Sequence, residues 1–323
     1  MRVHAWSIPM TTRFRGITVR EGVLLRGDAG WGEFSPFLDY SGDELVAWLA
    51  AAIEAAEFGF PDPVRTRIGV NVTIPAVDAL TAHRMASASG CRTAKIKVAE
   101  PGQTLSDDLD RVEAVRDALG GGGRVRIDAN GAWDVETAVD ALRQLGRFGL
   151  EYAEQPCRSV EELATLRRDL ARRGISVPIA ADESIRRSGD PERVAELEAA
   201  DIAVLKVQPL GGVRRCLRLA ETLGLPVVVS SALETSVGIR MGLALAAALP
   251  ELPYDCGLNT VALLTDDVAQ HPLVARQGAI DVGEVYVAET SLARVTASTE
   301  RASFWDDRLV TTRALLQAGK EDS

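Results

Sequence analysis

The segments AKIKV (94–98), RIDAN (126–130), YAEQP (152–156), AADES (180–184) and VLKVQP (204–209) decide the fold. Each is a short apolar run with a charged residue in it or at its end: Lys95 and Lys97, Asp128, Glu154, Asp182 and Lys206. The steps from Lys97 are 31, 26, 28 and 24 residues. That is about one strand and crossover helix per step, the period of a parallel βα barrel. Charge at the end of a buried strand is costly unless it is paired or bound to a metal, so five such runs in succession point to a shared site.

Reading outward, strands are expected at Ile68–Thr73, Ala94–Val98, Val125–Asp128, Tyr152–Glu154, Ile179–Asp182, Ile202–Val207, Pro226–Ser230 and Tyr254–Gly257. Helical stretches such as LSDDLDRVEAVRDALG, DVETAVDALRQLGRFG and GVRRCLRLAETLG separate them and end in Gly, a usual helix stop. Eight strands and seven crossovers make a (β/α)8-type barrel over 64–261. Ahead of it, residues 1–63 read as a small α+β capping domain: alternating strands around Asp28-Ala29-Gly30, then a helix in GDELVAWLAAAIEAAEFG with Ser41 as its N-cap. The segment 262–323 is expected to pack back on cap and barrel.

The bulk numbers narrow the function. The 323 residues are 46% hydrophobic, enough for one large domain or two unequal ones. A net charge of −10 argues against nucleic acid and anionic membranes as partners. No run of 18 apolar residues is present and MRVHAWSIPM has no signal-peptide core, so a cytoplasmic enzyme is expected. Cys91, Cys157, Cys216 and Cys256 form no C-x-x-C pair and read as reduced thiols. The three histidines, His4, His83 and His271, lie away from the strand ends, so carboxylates and lysines must carry the chemistry.

Asp128, Glu154 and Asp182 lie on adjacent strands about 5 Å apart and can converge on one ion. All-oxygen ligation suits Mg²⁺. Lys95 and Lys97 alternate onto the barrel's interior side, and Lys206 faces the same place from the other flank. A partly desolvated lysine near a second cation has a lowered pKa and can act as a base. The set suits removal of the proton next to a bound carboxylate. Lys206 is either part of that chemistry or a structural partner of Asp182.

K-x-K, D-x-N, E-Q-P, D-E-S and a lysine on the next strand together resemble the enolase superfamily, in its muconate-lactonizing-enzyme branch. The resemblance implies Lys97 as base, Lys206 as the opposing lysine, Lys95 as an electrostatic helper and Asp128, Glu154 and Asp182 as Mg²⁺ ligands, with Asn130 and Glu183 behind them. VVVSSALETSVG (227–238) resembles the segment found in the branch's aromatising dehydratases of menaquinone synthesis. The implied substrate is a small carboxylate and the reaction a loss of water. Ser230, Ser231, Gly257 and Arg126 are then substrate-contact candidates; Arg126 serves equally as a buried ion-pair partner. Phe37 and Leu38 either cover the pocket or fill the cap core. The alternative is an N-succinylamino acid racemase or dipeptide epimerase with two lysine bases. Against it, the eighth strand reads YDCGLN, so the epimerases' D-x-D is reduced to Asp255 and Gly257. Monomer and homodimer are both compatible with the sequence.

Overall fold

The computed structural model describes residues 2–14, 16–187 and 191–321. Residues 1, 15, 188–190, 322 and 323, which the expected cap, barrel and C-terminal segment include, lie outside the described residues. The chain opens with β1 (Arg2–Phe14), β2 (Ile17–Gly27) and β3 (Gly30–Phe34), an antiparallel sheet in that order, followed by α1 (Glu44–Ile53) and a π-helical turn, Glu54–Phe58. Alternation puts Val23, Leu25 and Phe34 on one face, and α1 lays Leu45, Trp48, Leu49 and Ala52 against them. The approach is close: a side chain on Gly32 would stand 1.9 Å from the Ala52 carbonyl oxygen, so only glycine fits. Asp43, not Ser41, stands at the N-cap of α1 and makes no side-chain cap bond. The chain instead turns through the Glu44 N–H donating to the Ser41 carbonyl, at 3.2 Å.

The barrel runs β4 (Arg67–Gly69), β5 (Val72–Ile74), α2 (Ala79–Ala88), β6 (Thr93–Lys97), α3 (Leu105–Leu119), β7 (Arg124–Asp128), α4 (Val135–Leu145), β8 (Leu150–Glu154), α5 (Val160–Arg172) and β9 (Ile179–Ala181). Two short helices follow, α6 (Glu183–Arg186) and α7 (Arg193–Glu196). Then come β10 (Ile202–Leu205), α8 (Val207–Leu210), α9 (Val213–Leu223), β11 (Val227–Val229) and α10 (Ser236–Ala248). Strands β5 to β11, without a break, form one parallel seven-stranded sheet. Asp78, Thr104, Asp134 and Ser159 cap the helices α2 to α5, and Thr104 with Asp107 and Ser159 with Glu162 complete capping boxes.

Two expected strands are corrected. The run 68–73 is divided: β4 pairs antiparallel with β12 (Ala279–Asp281), and only β5 belongs to the barrel sheet. The chain changes partner at Val70, whose N–H donates to the Gly278 carbonyl while the Asn71 N–H donates to that of Cys256. The eighth segment, 254–257, is not an extended ladder. It joins the sheet's two edges through single bridges, Val70 to Cys256 and Ser230 to Gly257, with Cys256 N–H on Gly69 O at 2.7 Å and Gly257 N–H on Val229 O at 2.8 Å.

The last helices, α11 (Glu289–Val295) and α12 (Thr299–Glu321), return to the cap. Val295, Trp305 and Leu309 join the cap's apolar cluster, and Trp305 meets Phe34 edge to face at 6.2 Å. Trp305→Ala is expected to cost about 3–5 kcal/mol, read as a lowered denaturation midpoint. A change under about 1 kcal/mol would show that α12 adds little to the cap's stability.

Cap strand β3 also reaches the barrel through Glu33, which is fully buried at the start of α10. It accepts from Gly238 N at 3.0 Å, Thr235 N at 3.3 Å and Thr235 Oγ1 at 2.5 Å. Burial, and next the charge of Glu234, push Glu33 up to about 7. A carboxyl raised on folding binds more protons folded than unfolded, so this group's contribution is present at low pH and is lost as pH rises from the ordinary carboxylate range through 7. The wild-type denaturation midpoint should fall from pH 5 to pH 8 more steeply than that of Glu33→Gln. Parallel profiles would show that Glu33 does not titrate there.

Candidate active site

The parallel register sets the site. Lys97 pairs with Asp128 and Asp128 with Glu154, so three charged residues lie in one row across β6, β7 and β8 at their C-terminal ends. Asp182 and Lys206 stand one residue past β9 and β10. Lys95, Lys97, Asp128, Glu154, Asp182 and Lys206 are all buried.

Within the row, Lys97 Nζ donates to Asp128 Oδ2 and to Asn130 Oδ1, each at 2.6 Å. Lys95 Nζ donates to both Glu154 oxygens, at 2.8 and 2.9 Å, and lies 3.5 Å from Asp128 Oδ2. Lys206 Nζ donates to Asp182 Oδ2 at 2.6 Å. Lys97 thus sits at one flank of the carboxylates and Lys206 at the other. Asn130 takes a left-handed backbone, φ +49°, and its Nδ2 donates to Glu183 Oε1 at 3.2 Å.

Burial alone would raise the carboxyl groups. At Asp128 the charges of Lys97 and Lys95 overcome it and hold the group well below the usual range. At Asp182, Arg186 and Lys206 do the same. Glu154 goes the other way, up to about 7: burial dominates, and the negative charge of Asp128 adds more than Lys95 removes. Of the three, Glu154 is the one that a further positive charge would favour as a carboxylate.

Among the described residues, no three Asp, Glu, His or Cys groups are gathered tightly enough to enclose an ion as they stand. The reason is visible: each carboxylate is turned onto a lysine or arginine. The donor chemistry nevertheless fits a hard divalent cation, because three adjacent anionic oxygen donors and no soft ligand face the same interior.

A chamber of about 30 Å³ lies beside Lys95, Lys97, Asp128 and Lys206. Thr73, Ser230, Ser231 and Gly257 close its barrel side, and Phe14 and Phe37 its cap side. Phe14 lies 5.2 Å from Lys97 Nζ through its ring. Lys97 and Phe14 also line a neighbouring cavity of about 660 Å³ that takes in Arg13 and Asn130. Leu38 stays exposed, so of the two candidate lid residues only Phe37 faces the chamber. Gly257 makes room for protein: a side chain there would stand 2.5 Å from Ser230 Oγ. Ser231 Oγ is 2.7 Å from Thr260 Oγ1.

Of its two expected places, Arg126 takes the buried ion pair and does not line the chamber. It is fully buried and reaches Glu151 Oε2 at 2.5 Å and the Asp255 carbonyl at 2.6 Å, and its guanidinium lies 4.8 Å from the Tyr152 ring centroid. Two residues down a strand is about 7 Å deeper in the barrel. The register shift between β7 and β8 places an extra residue, Glu151, opposite that level.

Arg186 was not among the expected site residues. Its side chain is buried, donates to Asp182 Oδ1 at 2.8 Å, pairs with Glu183 and bonds the Tyr40 hydroxyl of the cap. Its position four residues after Asp182 on a helix is the signal that would have found it.

A small cap over a βα ring, with acids on three successive strand ends and lysines on the strands to either side, has the chemistry to take a proton from beside a carboxylate. The enolase C-terminal domain-like family matches residues 78–285, and the enolase N-terminal domain-like family residues 5–56. Among curated relatives, the o-succinylbenzoate synthase of Thermobifida fusca (strain YX) is 60% identical over 97% of this chain and 96% of its own. That of Mycolicibacterium smegmatis is 51% identical over 98% and 96%. Among solved structures, muconate cycloisomerase from Pseudomonas fluorescens superposes with a TM-score of 0.75 at 25% identity, covering 92% of this chain and 98% of its own. N-succinyl Arg/Lys racemase from Bacillus cereus ATCC 14579 gives 0.78 at 21%, covering 92% and 97%, a likeness of fold. The chain belongs to the enolase superfamily and, within it, to the o-succinylbenzoate synthase family.

Proposed function

We propose that this protein catalyses the o-succinylbenzoate synthase reaction, the loss of water from 2-succinyl-6-hydroxy-2,4-cyclohexadiene-1-carboxylate to give 2-succinylbenzoate in menaquinone biosynthesis, with Lys97 as the base. It is a carbon–oxygen lyase of the hydro-lyase type. The observation that carries the reading is the placement of two buried lysines, Lys97 and Lys206, at opposite flanks of Asp128, Glu154 and Asp182. A divalent cation, Mg²⁺ by its oxygen donors, held by those three acids would supply positive charge beside the substrate carboxylate and relieve the grip of Asp128 on the Lys97 proton.

Lys97 takes the proton from the ring carbon that bears the carboxylate. Lys206, hydrogen-bonded to Asp182, faces the negative charge that develops. The Lys97 ammonium then gives its proton to the departing hydroxyl on the same face. One C–H and one C–O bond break, a ring C=C forms, and water leaves. Lys95 balances the charge of Glu154, and Asn130 and Glu183 hold Lys97 and Arg186 in register. Ser230 and Ser231 meet the substrate's polar groups, and Phe14 and Phe37 exclude water.

Two features weigh against racemase or epimerase chemistry. Asp255 accepts from Thr93 Oγ1 at 2.5 Å and does not line the chamber, and Gly257 offers no second carboxylate. We further propose the division at 1–63, 64–261 and 262–323 into cap, barrel and returning segment, and a cytoplasmic enzyme whose partner is this small carboxylate. Among the described residues no helix is long and apolar enough to cross a membrane.

The test is a paired assay with Mg²⁺: ultraviolet change as the cyclohexadiene aromatises, and optical rotation of N-succinyl amino acids. Fast dehydration without racemisation is expected, and chelation with EDTA should abolish it until Mg²⁺ is restored. Racemisation at comparable efficiency would move the assignment to the racemases, and full activity in EDTA would remove the cation from it.

A further inference from the structure

Arg20, on cap strand β2, is buried and plays no part in the chemistry above. Its Nε donates to the Leu233 carbonyl at 3.1 Å, and its Nη2 to the carbonyls of Ala232 at 3.2 Å and Ser35 at 2.6 Å. Its guanidinium stacks on Phe37, 4.5 Å from the ring centroid. The side chain therefore holds the barrel's seventh βα turn with one edge and the cap residue over the chamber with its face.

The turn it holds is strained. Leu233 is buried and takes φ +62°, a left-handed backbone unfavourable for a non-glycine residue. Such a conformation persists where surrounding bonds over-determine it, and here they come from Arg20 at the carbonyl and from Glu234 Oε2, which accepts the Ala232 N–H at 2.6 Å. Ala232 and Leu233 line the chamber, directly after Ser230 and Ser231.

We propose that Arg20 is a positioning residue: by holding the strained turn at 232–233 and seating Phe37, it makes docking of the cap complete the substrate-binding wall. The proposal rests on the reading that the cyclohexadiene carboxylate binds across this chamber and the neighbouring cavity beside Lys97 and Phe14. Arg20 touches neither substrate nor the reacting atoms, so its loss acts on binding more than on turnover.

A matched control exists at the far end of α10. Arg65 also donates to three backbone carbonyls, those of Ala246, Leu249 and Pro250, at 2.6, 2.6 and 2.9 Å, but remote from the chamber. Steady-state kinetics with Mg²⁺ would compare Arg20→Met, Arg20→Lys and Arg65→Met where circular dichroism shows each folded. Arg20→Met is expected to raise KM more than tenfold with kcat within about threefold, Arg20→Lys to fall between it and wild type, and Arg65→Met to change neither constant. A wild-type KM in Arg20→Met, or an equal rise in Arg65→Met, overturns the proposal. Should Arg20→Met fail to fold, Arg20→Lys decides, an unchanged KM being the overturning result. Hydrogen–deuterium exchange of residues 230–235 reads the same restraint without substrate. Faster exchange in the Arg20 variants alone is expected, and wild-type protection overturns the positioning role. A wild-type protein inactive on the cyclohexadiene would instead sink the reading of function.

Discussion

Lys97→Ala lowers the dehydration rate by about 10²–10⁴-fold, the usual cost of losing a positioned general base. The fold should survive, because the partners left behind keep others: Asp128 stays near Lys95, and Asn130 keeps its bond to Glu183. KM should change little, since Lys97 acts on the proton rather than on the bound carboxylate. Two measurements check this. Turnover above about a tenth of wild type removes Lys97 as the base. Exchange of the ring proton with solvent deuterium, followed on the recovered substrate, should vanish with the rate; continued exchange would assign proton removal to another group.

Lys206→Met should cost about 10²–10³-fold, the scale of losing one preorganised electrostatic contact to developing negative charge. The decisive comparison is with Lys206→Arg. A guanidinium keeps the charge and cannot give up its proton. If Lys206 acts through charge, the arginine variant recovers at least about tenfold over methionine. If Lys206 is a second base, both variants are equally impaired. Lys206→Met also leaves Asp182 with only Arg186 of its two buried partners, so some loss of stability accompanies that substitution. A thermal midpoint measured alongside separates it from the kinetic effect.

The candidate catalytic set was legible because its chemistry conflicts with its surroundings. Lysines and acids at the ends of apolar strands, spaced by one βα unit, have few explanations. Their order along the chain is also their order around the sheet, since crossover connections place successive parallel strands side by side. Arg126 shows where that logic stops. Two residues before Asp128, it lies on the same face of β7. Alternation did not tell depth, and one layer down the interior is a packed floor of Tyr152 and Glu151 rather than a pocket. The strand expected over 68–73 failed for a related reason. Its apolar pattern is continuous, yet its backbone bonds are divided between β12 and the barrel, and hydropathy carries no record of which partner a backbone group takes.

By itself, then, the sequence determined the βα barrel, the small cap ahead of it, and the placing of Lys95, Lys97, Asp128, Glu154, Asp182 and Lys206 around one interior. All of these follow from local period and from the cost of buried charge. Only the tertiary structure decided how the site is closed. Phe14 and Phe37 over the chamber, Arg20 on the carbonyls of Ala232 and Leu233, Glu33 at the start of α10 and Arg186 on Tyr40 are contacts between cap and barrel. Arg20 and Leu233 are more than two hundred residues apart in the chain, at 213. Such pairs arise from how two separately patterned units pack, and no periodicity within either unit records that.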